Sequence, residues 1–312
     1  MKPAVSVVVP IYKSEGTVAE LCDRLSKHLK AAKLSFEIVL VNDGSPDNSW
    51  KLIQGLVKQN PNVVAVNLSR NFGQHNAILA GLQQSEGEWV VVMDADLQDT
   101  PEVIESLWKK AQKEGVDTVI VRRTNRSDGF VNGFTSKLFY GFLSLLSGMK
   151  VEKDVGNFGI YSRRQIEAIT SVGDQDFFLP TLVQWSGYSS TTLEIDRPSR
   201  EVGETSYTFT KRLKLALRVL VINSNKLLGL SITAGILATV LGLIYAIYLV
   251  IQSITRQIQV AGWASIMVAI FFMGGAVLVS NGVLGLYLGR VFDNTKGRPR
   301  YVLAEVLKNK KK

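Results

Sequence analysis

VVVMDADLQD, residues Val90–Asp99, is the stretch on which the fold turns. Val90, Val91, Val92 and Met93 make an apolar run of the kind that forms a strand covered on both faces. The run does not end at a plain turn, because Asp94, Asp96 and Asp99 follow it directly. Carboxylates at the lip of a buried strand call for a partner, since an unpaired charge there is costly. In an extended chain, residues i, i+2 and i+4 point the same way. Asp94, Asp96 and Gln98 are therefore expected to face one site together, with the strand running from Glu88 to Asp96. Asp99 and Thr100 are expected instead to lie in a solvated loop and cap the next helix.

Working outward, the same pattern repeats. Val5–Tyr12, Phe36–Asp43, Asn62–Ser69 and Asp117–Arg123 are further apolar, β-branched runs. Helices are expected between them: from Thr17 as cap to about Lys33, after Ser49, from Gln74 to Gln84, and from Glu102 to Glu114 behind Pro101. Strands and helices alternating through short loops predict an α/β domain with a mostly parallel sheet and helices on both faces. In such sheets ligands bind beyond the carboxyl ends of the strands. Asp43 ends the second strand and Asp94 and Asp96 end the fourth, so carboxylates from two strands converge on one edge.

Several chemistries are excluded by what is missing. No GxGxxG follows a strand, no GxxxxGK[ST] occurs, and there is no GxSxG elbow. His28 and His75 are the only histidines, and no His/Cys cluster suits zinc. Carboxylate chemistry remains. Hard oxygen ligands such as Asp94, Asp96 and Gln98 suit Mg²⁺ or Mn²⁺ shared with substrate phosphates.

The charge is divided unevenly along the chain. The 312 residues carry a net charge of +9, yet residues 211–312 hold 14 Lys/Arg against 2 Asp/Glu, while residues 1–210 hold 22 against 25. A slightly acidic body with a basic C-terminal part is not the pattern of a nucleic-acid binder. Cys22 is the single cysteine, so no intrachain disulfide forms, and the N-terminus shows no secretory signal pattern. Residues 227–251 and 264–289 contain no charged residue, and each exceeds the about 20 residues needed to cross a bilayer core. Basic residues flank this pair of spans on the outside and only Arg256 lies between them. The positive-inside rule then places both termini and the body on the cytoplasmic side. The expected organisation is a body over 1–206, an interfacial amphipathic helix over 207–226 contacting membrane lipids, a transmembrane hairpin over 227–289 and a basic tail over 290–312. An ordinary amphipathic helix packed on the body is the alternative for 207–226.

Four segments carry a family resemblance: VVVPIYKSE (Val7–Glu15), VNDGSPDNS (Val41–Ser49), NLSRNFGQHNAILAGL (Asn67–Leu82) and VVVMDADLQDTPE (Val90–Glu102). With the C-terminal hairpin, they make the chain resemble glycosyltransferase family 2. The similarity is to its membrane-anchored branch, which includes polyprenyl-phosphate glycosyltransferases and dolichol-phosphate mannose synthases. The resemblance spans nearly the whole chain. It implies a GT-A nucleotide-sugar-binding fold and an inverting, Mg²⁺- or Mn²⁺-dependent transfer from a UDP-sugar to a polyprenyl phosphate at the bacterial inner membrane. By motif, Pro10, Tyr12, Glu15, Asp43 and Gly44 are expected to hold the nucleotide, with Asp94 near the uridine or the metal and Asp96 and Gln98 on the metal. Arg122, Arg123, Arg126 and Lys137 are expected at the acceptor phosphate. Arg200 and Ser206 join them through RPSREVGETSY (Arg197–Tyr207), which is similar to the family's stretch before the membrane. A homo-oligomer is also implied.

The chain departs from the family at DVGNFGIYSRR (Asp154–Arg164), where Asn157 stands in place of a common aspartate. Asp154 is the one nearby carboxylate able to replace it in catalysis. A lipid phosphate, with a second pKa of roughly 6, is already ionised at neutral pH and needs no base. A sugar-hydroxyl acceptor on a lipid-linked saccharide or O-antigen precursor would need one, and is the alternative reading. A catalytically inactive scaffold fits the intact Asp94–Asp96–Gln98 set poorly. No QxxRW motif supports a processive synthase.

Overall fold

In a computed structural model of the chain, the described residues are 2–123, 155–173, 177–195 and 262–309, together with single positions between 233 and 251. They divide into two compact units. The first holds an eight-stranded sheet: β1 (Val5–Ile11), β2 (Phe36–Asn42), β3 (Val63–Leu68), β4 (Trp89–Val92), β5 (Thr118–Arg123), β6 (Val155–Ser162), β7 (Ser190–Ile195) and β8 (Leu303–Lys308). Their order across the sheet is β7-β5-β6-β4-β1-β2-β3-β8. All neighbours run parallel except β6, antiparallel to both β4 and β5, and β8, antiparallel to β3.

Among the described residues six helices cover this sheet: α1 (Val18–Ala31), α2 (Ser49–Gln59), α3 (Gln74–Gln84), α4 (Ile104–Glu114), α5 (Arg163–Ser171) and α6 (Leu179–Trp185). The strands alternate their side chains between two cores. Val5, Val7, Val9 and Ile11 of β1 pack with Leu21, Leu25 and Leu29 of α1, Ile53 of α2 and Leu107 of α4. Val8, Val41, Val90 and Val92 point the other way, into a second core with Ala77, Ile78 and Leu82 of α3, Ile166 of α5 and Leu182 of α6. Burial on both faces is why these strands read as continuous apolar runs.

The sequence expectation of α/β alternation holds for the first five strands, and α3 has the expected bounds. Three details differ. The fourth strand ends at Val92 rather than Asp96, because the chain bends: Leu97 takes a left-handed backbone (φ 58°) and the Asp96 carboxylate accepts the Gln98 N–H at 3.0 Å. Thr17 stands at the start of α1 but forms no side-chain cap. Residues 303–308, expected within a basic tail, form β8 and close the β3 edge. Its ladder runs from Val64↔Lys308 to Leu68↔Leu303 and continues as the Ser69 N–H donates to Val302.

Among the described residues of the second unit is α7 (Trp263–Thr295), 33 residues long, which is about 50 Å of helix. It contains the expected span 264–289 and continues past it. Its segment Phe272–Thr295 is long and apolar enough to cross a membrane, and is the one such helix among the described residues. Leu278, Val279 and Leu288 on it are about 70% exposed. The expected first span, 227–251, is described only at single positions, which are helical. The interfacial helix over 207–226 lies outside the described residues.

Candidate active site

Of the expected site residues, the topology collects those at the ends of β1, β2, β4 and β5 and at the start of β6 on one edge of the sheet. β1 and β2 end level, with Ile11 opposite Asn42, and the Asp43 N–H donates to Ile11. Pro10 follows the last bond toward β4, in which the Met93 N–H donates to Val8, so its missing N–H forfeits no ladder bond. Tyr12 is 46% exposed just beyond β1. Arg122 and Arg123 end β5, which runs the same way as β1 and β4. β6 enters from the opposite direction with Val92 facing Gly159, so Asn157, two residues earlier, reaches the edge where β4 ends. Asp154, Arg126, Lys137, Arg200 and Ser206 lie outside the described residues.

Asp43 is almost fully buried and turned inward. Its two carboxylate oxygens accept the Phe72 N–H at 2.7 Å and the Gly73 N–H at 3.0 Å. Burial pushes its carboxyl above the usual range, and the two N–H groups and the Arg70 charge offset this only in part. Carboxyls perturbed in this way concentrate at functional sites. Gly44 explains itself geometrically: its backbone is left-handed (φ 57°), and a Cβ there would lie 2.4 Å from Arg70 C and Asn71 N. The β2–α2 turn thus rests directly on the backbone of residues 70–71.

Glu15 is exposed, but its carboxylate accepts the Asn48 N–H at 3.0 Å and the Asn48 side-chain amide at 3.1 Å. Asp47 answers from the other side, accepting the Glu15 N–H at 3.2 Å, the Ser49 N–H at 3.1 Å and the Ser45 hydroxyl at 2.5 Å. Burial pulls the Asp47 carboxyl up, but these donors outweigh it and bring it down to about 2. Glu15 therefore braces the loops after β1 and β2 against each other.

Beyond β4, Asp94 is half-buried and accepts the Gln74 side-chain amide at 2.7 Å. Asp96 is exposed. Asp99 is 3% exposed, and its carboxylate accepts the Asp94 N–H at 3.4 Å. The expectation of a solvated cap at Asp99 is corrected: the residue braces the bend from inside, and no side-chain cap is formed at Thr100. The shared direction expected for Asp94, Asp96 and Gln98 falls with the strand, since a bent segment has no two-residue repeat. Among the described residues no three His, Cys, Asp or Glu side chains cluster to hold a metal. The donors present still fit Mg²⁺ or Mn²⁺, because such ions are commonly held by one or two carboxylates with substrate phosphates completing the shell.

Reading the sequence did not single out Gln74 or Asp47. Their signals were available: a polar residue opening a helix straight after a glycine, and an Asp–Asn pair before Ser49.

The family model described as glycosyl transferase family 2 matches residues 6–170. The chain belongs to glycosyltransferase family 2 and is a glycosyltransferase with a GT-A-like fold. Its relatives include an uncharacterised glycosyltransferase of Synechocystis sp., 38% identical over 96% of this chain and 95% of that one. An undecaprenyl-phosphate 4-deoxy-4-formamido-L-arabinose transferase of Proteus mirabilis is 34% identical, covering 98% and 95%. A bactoprenol glucosyl transferase of Shigella phage SfX is 33% identical, covering 96% and 98%.

Proposed function

We propose that this chain transfers a sugar from a UDP-sugar to a polyprenyl phosphate at the cytoplasmic face of a bacterial inner membrane, inverting the anomeric carbon. The observation that carries the reading is the gathering of Asp94, Asp96 and the ends of β1, β2 and β5 on one sheet edge. The chain in which this occurs is 33–34% identical, over nearly its full length, to proteins named for undecaprenyl-phosphate and bactoprenol.

In the reaction, a phosphate oxygen of the lipid forms a bond to the anomeric carbon. The bond from that carbon to the nucleotide diphosphate breaks, and its electron pair leaves with the diphosphate. The attacking phosphate needs positioning rather than deprotonation. Asn157, an amide that accepts no proton at neutral pH, suits such an acceptor better than a sugar hydroxyl. Tyr12 and Pro10 line the nucleotide side, with Asp43 and Gly44 shaping it from behind. Asp96 and Gln98, with Asp94 on the uridine or metal side, would hold the divalent ion, which when bound neutralises charge on the departing diphosphate. Arg122 and Arg123, and beyond them Arg126, Lys137, Arg200 and Ser206, are assigned to the acceptor phosphate.

The membrane part of the proposal is a hairpin over 227–251 and 264–289, in a homo-oligomer. A parity argument supports the hairpin. β1 and β8 lie in one sheet, so a chain that leaves this unit through a bilayer must cross it an even number of times. One crossing by α7 requires a second one.

The test is to incubate full-length protein and Mn²⁺ with radiolabelled UDP-sugars and undecaprenyl phosphate, then count the lipid phase. Label in the lipid sustains the proposal. A protein that binds UDP yet leaves undecaprenyl phosphate unlabelled, and labels a lipid-linked saccharide supplied in a parallel incubation, moves the acceptor to a sugar hydroxyl.

A further inference from the structure

Residues 70–74 connect two carboxylates of the site, Asp43 and Asp94. At one end, Phe72 and Gly73 donate their N–H groups to Asp43, and Gly73 then turns the chain into α3 with a φ of 93°, a conformation open to glycine. The Asn76 side chain donates to Phe72 O at 2.8 Å, fixing the turn that opens α3. The Arg70 guanidinium lies 4.3 Å from the centre of the Phe72 ring, and Gly44 leaves no gap beneath. At the other end, Gln74 Nε2 donates to Asp94 Oδ1 at 2.7 Å, across to the end of β4. A carboxylate offers acceptors only, so the Gln74 amide must present its NH₂ group. The bridge thus runs from β2 to β4 over the end of β1.

We propose that Gln74 is a positioning residue: it orients the Asp94 carboxylate toward the donor nucleotide, from a turn locked onto Asp43. A neutral amide suits the task. It fixes the carboxylate without adding a positive charge that would compete with a divalent cation or with a sugar hydroxyl. A Lys or Arg at this position would orient Asp94 by pairing with it. The inference rests on the reading of this edge as the donor site.

The test compares full-length wild type, Gln74→Ala, Gln74→Glu and Asp94→Asn in detergent. It measures melting temperature, UDP affinity in Mn²⁺ by calorimetry, and transfer kinetics. Gln74→Glu keeps the length and removes the donor, setting two carboxylates face to face. Side chains that orient a ligand typically matter about 10- to 100-fold when removed. For both Gln74 variants, kcat/KM for the donor should fall by that range, further for Glu than for Ala. KM for the polyprenyl phosphate should stay within about 2-fold and melting should be near wild type. Adding Gln74→Ala to Asp94→Asn should cost less than about 2-fold more, since the two act as one unit. The assignment is overturned by donor kinetics within about 2-fold of wild type, by losses that multiply independently with Asp94→Asn, or by losses that only track melting. If wild type binds UDP but transfers nothing to polyprenyl phosphate, the proposed acceptor fails, and the UDP affinities decide Gln74: about 10-fold weaker binding sustains it, unchanged binding overturns it. A wild type that binds neither UDP nor GDP overturns both readings.

Discussion

Asp96 and Asp47 are both acidic loop residues, and their surroundings set them apart. Asp96 is exposed and its carboxylate receives the Gln98 N–H, so Asp96→Ala removes one exposed hydrogen bond, about 1 kcal/mol or less. Its charge matters far more at a diphosphate. We expect Asp96→Ala to lower kcat by about 100-fold or more, with melting within a few degrees of wild type. Retained turnover in the lipid-labelling assay would remove Asp96 from the metal site. Asp47 is the reverse case, a carboxylate saturated by donors from its own loops. Its folded pKa of about 2 lies below the unfolded value of about 3.9. The stability it contributes is therefore complete above about pH 4 and is lost as the pH falls toward 2. Melting should drop across that window in the wild type. In Asp47→Ala it should start lower and drop less, with Asp117, which burial pushes up but Arg164, Ser162 and Ser189 together hold below its usual range, accounting for part of what remains.

Between elements, the contact that matters most is the one Gly44 permits. It lets the turn after β2 lie on the backbone of residues 70–71, which places the α3 entrance over the end of β1. Gly44→Ala meets two obstacles. A left-handed backbone costs a non-glycine residue roughly 1–2 kcal/mol, and the new Cβ must displace main chain rather than a flexible side chain. We expect a lower melting temperature and a loss of UDP affinity larger than the stability loss alone would give, because Asp43 and Gln74 move with the displaced loop. Titrating UDP below the melting range separates the two effects. A Gly44→Ala variant that melts lower but binds UDP normally would show that residues 70–74 tolerate the shift.

At the scale of the whole molecule, β8 decides more than its six residues suggest. Without it, β3 would present a row of unpaired N–H and C=O groups as an open sheet edge, a common route to aggregation. β8 also brings the residues around it onto the first unit. The Lys308 amine pairs with Glu86 at 2.6 Å, the Tyr301 hydroxyl donates to Gln83, and the Arg300 guanidinium donates to Val172 and faces the Phe177 ring. Truncation after Gly297 should therefore cost the fold, although it removes only a basic segment by composition. Size-exclusion chromatography in detergent should show aggregated protein, and a truncated chain that is monodisperse and active would refute the strand's structural role.

How much of this was legible beforehand follows the range of the interactions. The apolar runs, the helix periods and the carboxylates at the strand ends are local patterns, and they were enough for the α/β class, for five strands in order and for an edge bearing Asp94 and Asp96. The uncharged stretches were equally plain, since length and apolarity are properties of a segment alone. The sequence could not show that β6 inserts antiparallel between β4 and β5, or that residues 303–308 return to pair with β3. Strand pairing over such separations depends on which edges remain open once the rest has packed. The bend at Leu97 escaped for a related reason. Asp96 competes for the backbone there, and Asp99 holds the bend from inside. The bridge from Asp43 through Gln74 to Asp94 spans three strands, and it exists only because the sheet sets their ends side by side.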